Sequence, residues 1–273
     1  MKDMIDFVRS EFALKTRFLR ALLTLCFGAF GMVPLAGLGV AQENAPFTVE
    51  ADELLEWDQT KGTYRATGNA LARQEDQQIK AMELVASYDT NSESRKITLI
   101  VATGAVEYED GTSTARGDKL TYYIDAERYL IEGAKSLVTG PNGTMRASKS
   151  IELLSPTPDK QLLTAIGAAQ YTDAKGQIVE GEMINAHLDA DGALDVLDAT
   201  DNVKVVSVNG QVATGDAVTY NQKTSKALLT GNVEILDSGN VMRGSRAEVD
   251  FDSGISRILS DGSGKRVSGT LQP

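Results

Sequence analysis

Two phrases decide the reading of this chain: Gly215-Asp-Ala-Val-Thr-Tyr-Asn221 and, after five intervening residues, Ala227-Leu-Leu-Thr-Gly-Asn-Val-Glu-Ile235. In both, apolar side chains alternate with polar ones at period two, which makes a half-buried strand and not a helix. Asn221 closes the first strand, because a short Asn or Asp side chain bonds the backbone two residues on and starts a turn. Gly231-Asn232 interrupts the second, and a glycine inside a strand pattern marks a bulge or a bend. The unit is therefore strand, turn, bent strand.

The same unit recurs along the chain. An apolar residue, any residue, a large apolar or aromatic residue and then Asp or Asn appear as Leu55-Glu56-Trp57-Asp58, Ala86-Ser87-Tyr88-Asp89, Ala186-His187-Leu188-Asp189, Val218-Thr219-Tyr220-Asn221 and Val249-Asp250-Phe251-Asp252. Leu120-Thr121-Tyr122-Tyr123 and Ile151-Glu152-Leu153-Leu154 are weaker copies without the final Asp or Asn. The third positions fall at 57, 88, 122, 153, 188, 220 and 251, with separations of 31, 34, 31, 35, 32 and 31 residues. The bent-strand phrase follows in step, with Gly68-Asn69, Gly104-Ala105, Gly133-Ala134, Gly167-Ala168 and Asp201-Asn202 in the phase of Gly231-Asn232. Self-similarity at such a period signals a stacked array whose units cannot bury their apolar faces alone. Seven hairpin units of roughly 32 residues predict an all-β, antiparallel fold of about fourteen strands or more, with two sheets packed inner face to inner face. No stretch after Ala41 has a helical period.

Composition narrows the chemistry. The chain has 273 residues, 42% of them hydrophobic and 24% charged, enough to bury a core. It has one Cys and one His, so no Cys/His zinc site and no CxxC pair can form. Nothing around His187 resembles a nucleophile elbow, and the phosphate-binding glycine loops are missing. His187 occupies a polar position of its strand and reads as a solvated surface residue. Asp58, Asp89, Asp189 and Asp252 recur at turn starts, a structural place rather than that of catalytic carboxylates. No enzyme, catalytic residue, cofactor or metal site is expected. A net charge of −11 also argues against nucleic acid and against bulk attraction to an anionic membrane.

The N-terminus is a different polymer. Lys2, Arg9, Lys15, Arg17 and Arg20 face only Asp3, Asp6 and Glu11, and an apolar run from Ala21 ends in Gly39-Val40-Ala41. Charged region, apolar region and small-residue end read as a secretory signal peptide over residues 1–41. The run is also about the ~20 residues that span a bilayer, so an uncleaved anchor is the alternative, disfavoured by Pro34 and four glycines. Leu25 before Cys26 speaks against lipid attachment there. Cleavage removes a net charge of +2, taking −11 to −13, and removes the cysteine.

Gly231-Asn232-Val233 in a bent strand, Gly117-Asp118 to Tyr122 and Gly215-Asp216 to Tyr220 opening strands, and Ala51-Asp52-Glu53-Leu54 near the start resemble the LptA/OstA-like family of lipopolysaccharide-transport proteins. The resemblance runs from about Phe47 to Ser260. It implies a slightly twisted, V-shaped antiparallel β-jelly roll over residues 42–260, followed by a flexible tail, 261–273. It also implies a periplasmic, non-enzymatic carrier that holds the acyl chains of lipopolysaccharide in an apolar groove. The implied partners are an LptC-like inner-membrane protein at the N-terminal edge, an LptD-like outer-membrane protein at the C-terminal edge, and further copies joined head to tail.

Alternation names the groove-lining candidates. The motif strands contribute Leu55, Trp57, Tyr88, Leu120, Tyr122, Val218, Tyr220, Val249 and Phe251; the bent strands contribute Tyr64, Leu99, Val101, Tyr129, Ile131, Leu229, Val233 and Ile235. Tyrosine suits a groove with a wet mouth, its ring on lipid and its hydroxyl in water. The repeat alone leaves open whether this face is a filled sandwich core or an interior that takes lipid, and a structural or adhesive β-repeat protein stays as the alternative. Lys80, Arg95, Lys96, Arg116 and Arg146 are basic side chains available to lipid phosphates. The opening strand from Phe47 to Ala51 carries little to block strand addition, which predicts end-to-end association.

Overall fold

The computed structural model describes residues 48–91, 95–157, 159–190, 192–260 and 266–272, and the signal-peptide reading of residues 1–41 lies outside them. The described residues form eighteen strands and no helix, and their strand pairings are antiparallel. Two compact units divide the chain, one of residues up to 111 with 119–127, the other of 112–118 with 128 onward.

In the first unit β1 (Thr48–Glu50) and β2 (Leu54–Asp58) both pair with β3 (Thr63–Gln74), β1 along Leu71–Arg73 and β2 along Thr63–Thr67. β3 pairs with β4 (Gln77–Tyr88), and β4 with β5 (Ile97–Glu109). The C-terminal half of β6 (Thr114–Tyr123) also belongs here.

In the second unit the start of β6 pairs with β8 (Ser136–Gly140), and β7 (Arg128–Glu132) with β10 (Ser150–Thr157). β9 (Gly143–Ala147) and β10 lie end to end along β11 (Lys160–Asp173). β12 (Ile178–Asp189), β13 (Leu194–Val206), β14 (Val212–Asn221), β15 (Lys226–Asp237) and β16 (Asn240–Asp250) follow as a meander. β17 (Ile255–Leu259) and β18 (Ser268–Thr270) share the far side of β16. Four pairs, β1/β2, β7/β8, β9/β10 and β17/β18, are single passes of chain broken in two, so eighteen strands amount to fourteen passes, the seven hairpins expected. One expectation is corrected: Ser268–Thr270, placed by sequence in a flexible tail, is paired with Val241–Arg243. Hydrogen bonding to an open strand edge outweighs the local glycine and serine content.

The corner at which each pass bends is built from the Gly-Asn phrases. Gly68-Asn69, Gly104-Ala105, Gly167-Ala168, Asp201-Asn202 and Gly231-Asn232 each hold two successive residues at positive φ, and the ladder skips there. Gly231 has φ +74° and lies against the Asp216 carboxylate, so a Cβ would have no room. Asn232 at φ +48° uses the left-handed region that Asn tolerates, and its Nδ2 donates to both Asp216 oxygens at 3.0 and 3.3 Å. Asn69 donates likewise to Asp52 at 2.7 Å. The Gly-Asp and Gly-Asn phrases thus recognise each other across neighbouring strands.

The bulge also sets which side chains point inward. On β12 and β14 the buried positions are odd before the corner (Val179; Ala213) and even after it (Ile184, Ala186; Val218, Tyr220). On β15, and on β13 from Leu197 onward, they stay odd across the corner (Leu197, Ala199, Val203, Val205; Leu229, Val233, Ile235). Turning the corner shifts the alternation by one step, and the extra residue of a bulged strand restores it.

The turns are closed by the side chains expected. Asp58 accepts from the amides of Thr60 and Lys61, Asp89 from Asn91, Asp189 from Ala193 and Asn221 from Thr224, at 2.8 to 3.0 Å. In the last copy Asp250, not Asp252, takes this role, accepting from Ser253 at 3.0 Å, because the strand ends one pairing earlier.

Gly231→Val should cost about 2–4 kcal/mol of stability, since it combines a strained φ with a clash at Asp216. Asn232→Ala should cost about 1 kcal/mol, the worth of one hydrogen-bonded partner. Urea unfolding followed by circular dichroism reads both.

Candidate functional site: the inner apolar face

Cross-strand register assembles the inner face of the second unit row by row. Ile131, Ile151, Ala165, Ile184, Ala199, Val218, Leu229, Ala247 and Ile258 stand directly opposite one another across nine strands. The eight from Ile131 to Ala247 are at most 4% exposed. A second row, further from the corner, runs Tyr129, Leu153, Leu163, Ala186, Leu197, Tyr220, Ala227, Val249 and Ser256. Beyond the corner a third runs Val138, Met145, Tyr171, Val179, Val205, Ala213, Ile235, Met242 and Gly269. Side chains of all three rows share one hydrophobic core, so the two halves of each bent strand face each other. Alanines alternate with isoleucine, valine and leucine, which lets facing layers interdigitate.

Of the sequence candidates, Val218, Tyr220, Leu229, Val233, Ile235 and Val249 lie in that core, with Phe251 packed against it. The Phe251 ring meets Tyr220 edge-on at 5.7 Å. Ile131 is buried opposite Ile151, and Tyr129 is half-buried opposite Leu153. In the first unit Tyr88, Leu120 and Tyr122 are buried, Tyr122 to 1% exposure, so its hydroxyl is not at a wet mouth. Tyr64 stacks on Trp57 at 5.7 Å, and Trp57 Nε1 donates to the Tyr88 hydroxyl at 2.9 Å. Leu55 and Trp57 share the inner face with Ala66 and Tyr64, yet on the edge strand they are 60% and 45% exposed.

Leu99 and Val101 are placed differently from expectation. They stand opposite Ser87 and Val85 on the outer face, while Ile100 and Ala102 turn inward opposite Ala86 and Leu84. Tyr88 pairs with Ile97 and Ser87 with Leu99, so Thr98 is an extra residue that flips the alternation. A run apolar on both faces hides such a slip from sequence. Sequence reasoning also missed Met145 and Val205, and Val179 and Ala213, the last two on strands whose phase changes at the corner. The opposed register to named residues was the signal that would have found Ile184 and Leu197.

Polar groups are sparse at this face and structural in role. Tyr171 donates its hydroxyl to the carbonyl of Asn142 at 3.0 Å; burial, then the nearby Asp173 and Tyr220, push its pKa up to about 12. His187 is on the outer face with Nε2 3.5 Å from Asp198. Arg95 places its guanidinium 5.0 Å from the Trp57 ring, and Lys96 pairs with Asp125 at 2.5 Å. Among the described residues no group of three or more His, Cys, Asp or Glu gathers as a metal site.

The described residues define an all-β repeat protein with an aliphatic interior. A family model described as LptA/(LptD N-terminal domain) LPS transport protein matches residues 48–155 and 176–255, more than half of the chain. The chain belongs to that family. No curated protein sequence matches it. Among solved structures, the crystal structure of LptH, the LptA-homologous periplasmic component of the lipopolysaccharide transport device of Pseudomonas aeruginosa, is similar at 11% identity and a TM-score of 0.22, over 84% of this chain and 96% of that one.

Leu229→Ala should cost about 2–5 kcal/mol through the cavity it leaves, whereas Leu55→Ala on the exposed edge should stay within about 0.5 kcal/mol, both read by urea unfolding. Tyr171 has a folded pKa above the unfolded value near 10, so its contribution is fully present below about pH 10 and is lost as pH rises toward about 12. Stability measured across that window should fall less steeply in Tyr171→Phe.

Proposed function

We propose that this chain is a non-enzymatic lipopolysaccharide-binding protein of the periplasm, which carries the lipid from the inner to the outer membrane as part of a head-to-tail bridge. Residues 1–41 direct export and are removed, and residues 42–260 form the carrier domain. An LptC-like protein sits at the N-terminal edge and an LptD-like protein at the C-terminal edge. Acyl chains lie along the inner face named above. The observation that carries this reading is the unbroken aliphatic row from Ile131 to Ile258, joined to family membership.

The physics is that of shelter. Each exposed methylene costs about 0.8 kcal/mol, so one twelve-carbon chain in water costs on the order of 10 kcal/mol. Nine strands spaced by ~4.8 Å make an apolar row of about 38 Å, longer than such a chain. The inner side chains are packed on one another, so lipid enters by parting the two halves and replacing one apolar contact with another. That exchange keeps the apolar surface out of water and needs no chemical step.

A second reading is kept by a specific observation: Ile184, Leu197, Leu229 and Ile235 are at 0% exposure, as in a permanently closed core of a structural or adhesive protein. A photo-reactive phenylalanine at Phe251, on the rim of the core, and one at Leu228, on the outer face, separate the two. Saturable cross-linking to labelled lipopolysaccharide from position 251 and not 228 is the expected result. Labelling from neither, with no lipid co-purifying, leaves the closed-core reading.

A further inference from the structure

In the second unit the two halves of the bent strands end in separate lips. One lip holds the turns that join β8 to β9, β11 to β12 and β13 to β14; the other holds those that join β12 to β13, β14 to β15 and β16 to β17. Side-chain hydrogen bonds cross between the lips. Asn142 Nδ2, in the β8–β9 turn, donates to the carbonyl of Gly192, in the β12–β13 turn, at 3.0 Å. Ser256, beside the β16–β17 turn, donates its hydroxyl to Oε1 of Gln211, at the end of the β13–β14 turn, at 3.4 Å. Tyr171 holds the Asn142 carbonyl from within, at 3.0 Å. Asp173 belongs to the first lip and Asp252 to the second; burial, then these two carboxylates, push the pKa of Tyr220 up. Leu188, Phe251 and Met242, toward the lips, are only partly buried, whereas Val218, Leu229 and Ala247 at the corner are closed off.

We propose that these lips form a gated seam: the Asn142–Gly192 and Gln211–Ser256 bridges latch it, and a hydrocarbon chain passes sideways between the lips when both release. This rests on the carrier reading above and names the residues that regulate entry to its site. Each half of the unit is held together by a ladder of backbone hydrogen bonds from strand to strand. Each latch, by contrast, is one hydrogen bond near the surface, where water competes for both partners. The seam therefore parts before the sheet does. The corners supply the pivot, because the ladder is already interrupted at Gly167-Ala168, Asp201-Asn202 and Gly231-Asn232. Asp173 and Asp252 add like charges to opposite lips, which favours parting and keeps the latches from becoming permanent. A chain admitted through the seam meets the aliphatic rows along its flank and need not be threaded from an end.

The test uses the full chain with Cys26→Ser, produced with its native N-terminal segment and purified as the soluble form. Gln211→Cys with Ser256→Cys, and separately Asn142→Cys with Ala193→Cys, are bridged by a short bis-methanethiosulfonate reagent that dithiothreitol removes. The probe is cis-parinaric acid, a fluorescent fatty acid, followed by stopped flow. Either bridge should slow its uptake about tenfold or more, because the seam can no longer open locally, and reduction should restore the rate. Asn142→Ala with Gln211→Ala, its circular dichroism unchanged, should speed uptake about tenfold through the loss of two hydrogen bonds. Uptake as fast with a bridge as without it, or an unchanged rate in the double alanine variant, overturns the proposal. Labelled lipopolysaccharide on the same samples reads the carrier function separately. Fatty-acid uptake that stays gated while no sample takes up lipopolysaccharide sinks the carrier reading and leaves the seam; an unbridged chain that takes up neither overturns both.

Discussion

Everything in this molecule depends on keeping one apolar face inward while a strand turns a corner. Period-two alternation works only along a straight strand, and a bend of the chain moves it out of step by one residue. The fold answers with an inserted residue on alternate passes, held where two left-handed dihedrals and an Asp–Asn bridge permit nothing else. Asp216 with Gly231-Asn232 is the best-formed case, and Asp52 with Asn69 repeats its polar half at the first hairpin. Without the corner the inner rows would face solvent on one half of each strand.

The corner explains the motif chemistry as well. A repeated Gly-Asp and Gly-Asn could be read as ligand-binding acid and amide groups, yet their side chains are spent on each other at the outside of the bend. What they create is distant from them: an interior with almost no polar atoms, in which Ile, Val and Leu alternate with Ala. Such an interior binds by exclusion of water, with no directional demand on what fills it.

Much of this was legible in the sequence. The hairpin period, the number of passes and the places of the bends follow from spacing alone, because each hairpin repeats the same turn and bulge chemistry. On the bulged strand β15 the alternation visible in sequence survives the corner, so Leu229, Val233 and Ile235 are all buried. The unbulged passes were half missed, as at Val179 and Ala213, since nothing local announces a change of phase. Leu99 and Val101 were misplaced where an extra residue, Thr98, sits in a run apolar on both sides. Burial depth was not legible either: Tyr122 and Trp57 share a motif position, and only the presence or absence of a neighbouring strand makes one inaccessible and the other open.

Trp57 is the only tryptophan of the chain. It stands on the outermost strand, stacked on Tyr64, bonded to Tyr88 and overlain by Arg95. The protein therefore carries an optical reporter confined to one end. Indole emission will follow hydration and charge at that end alone, blind to the remaining hairpins, and an unlabelled sample suffices to watch that boundary open or close.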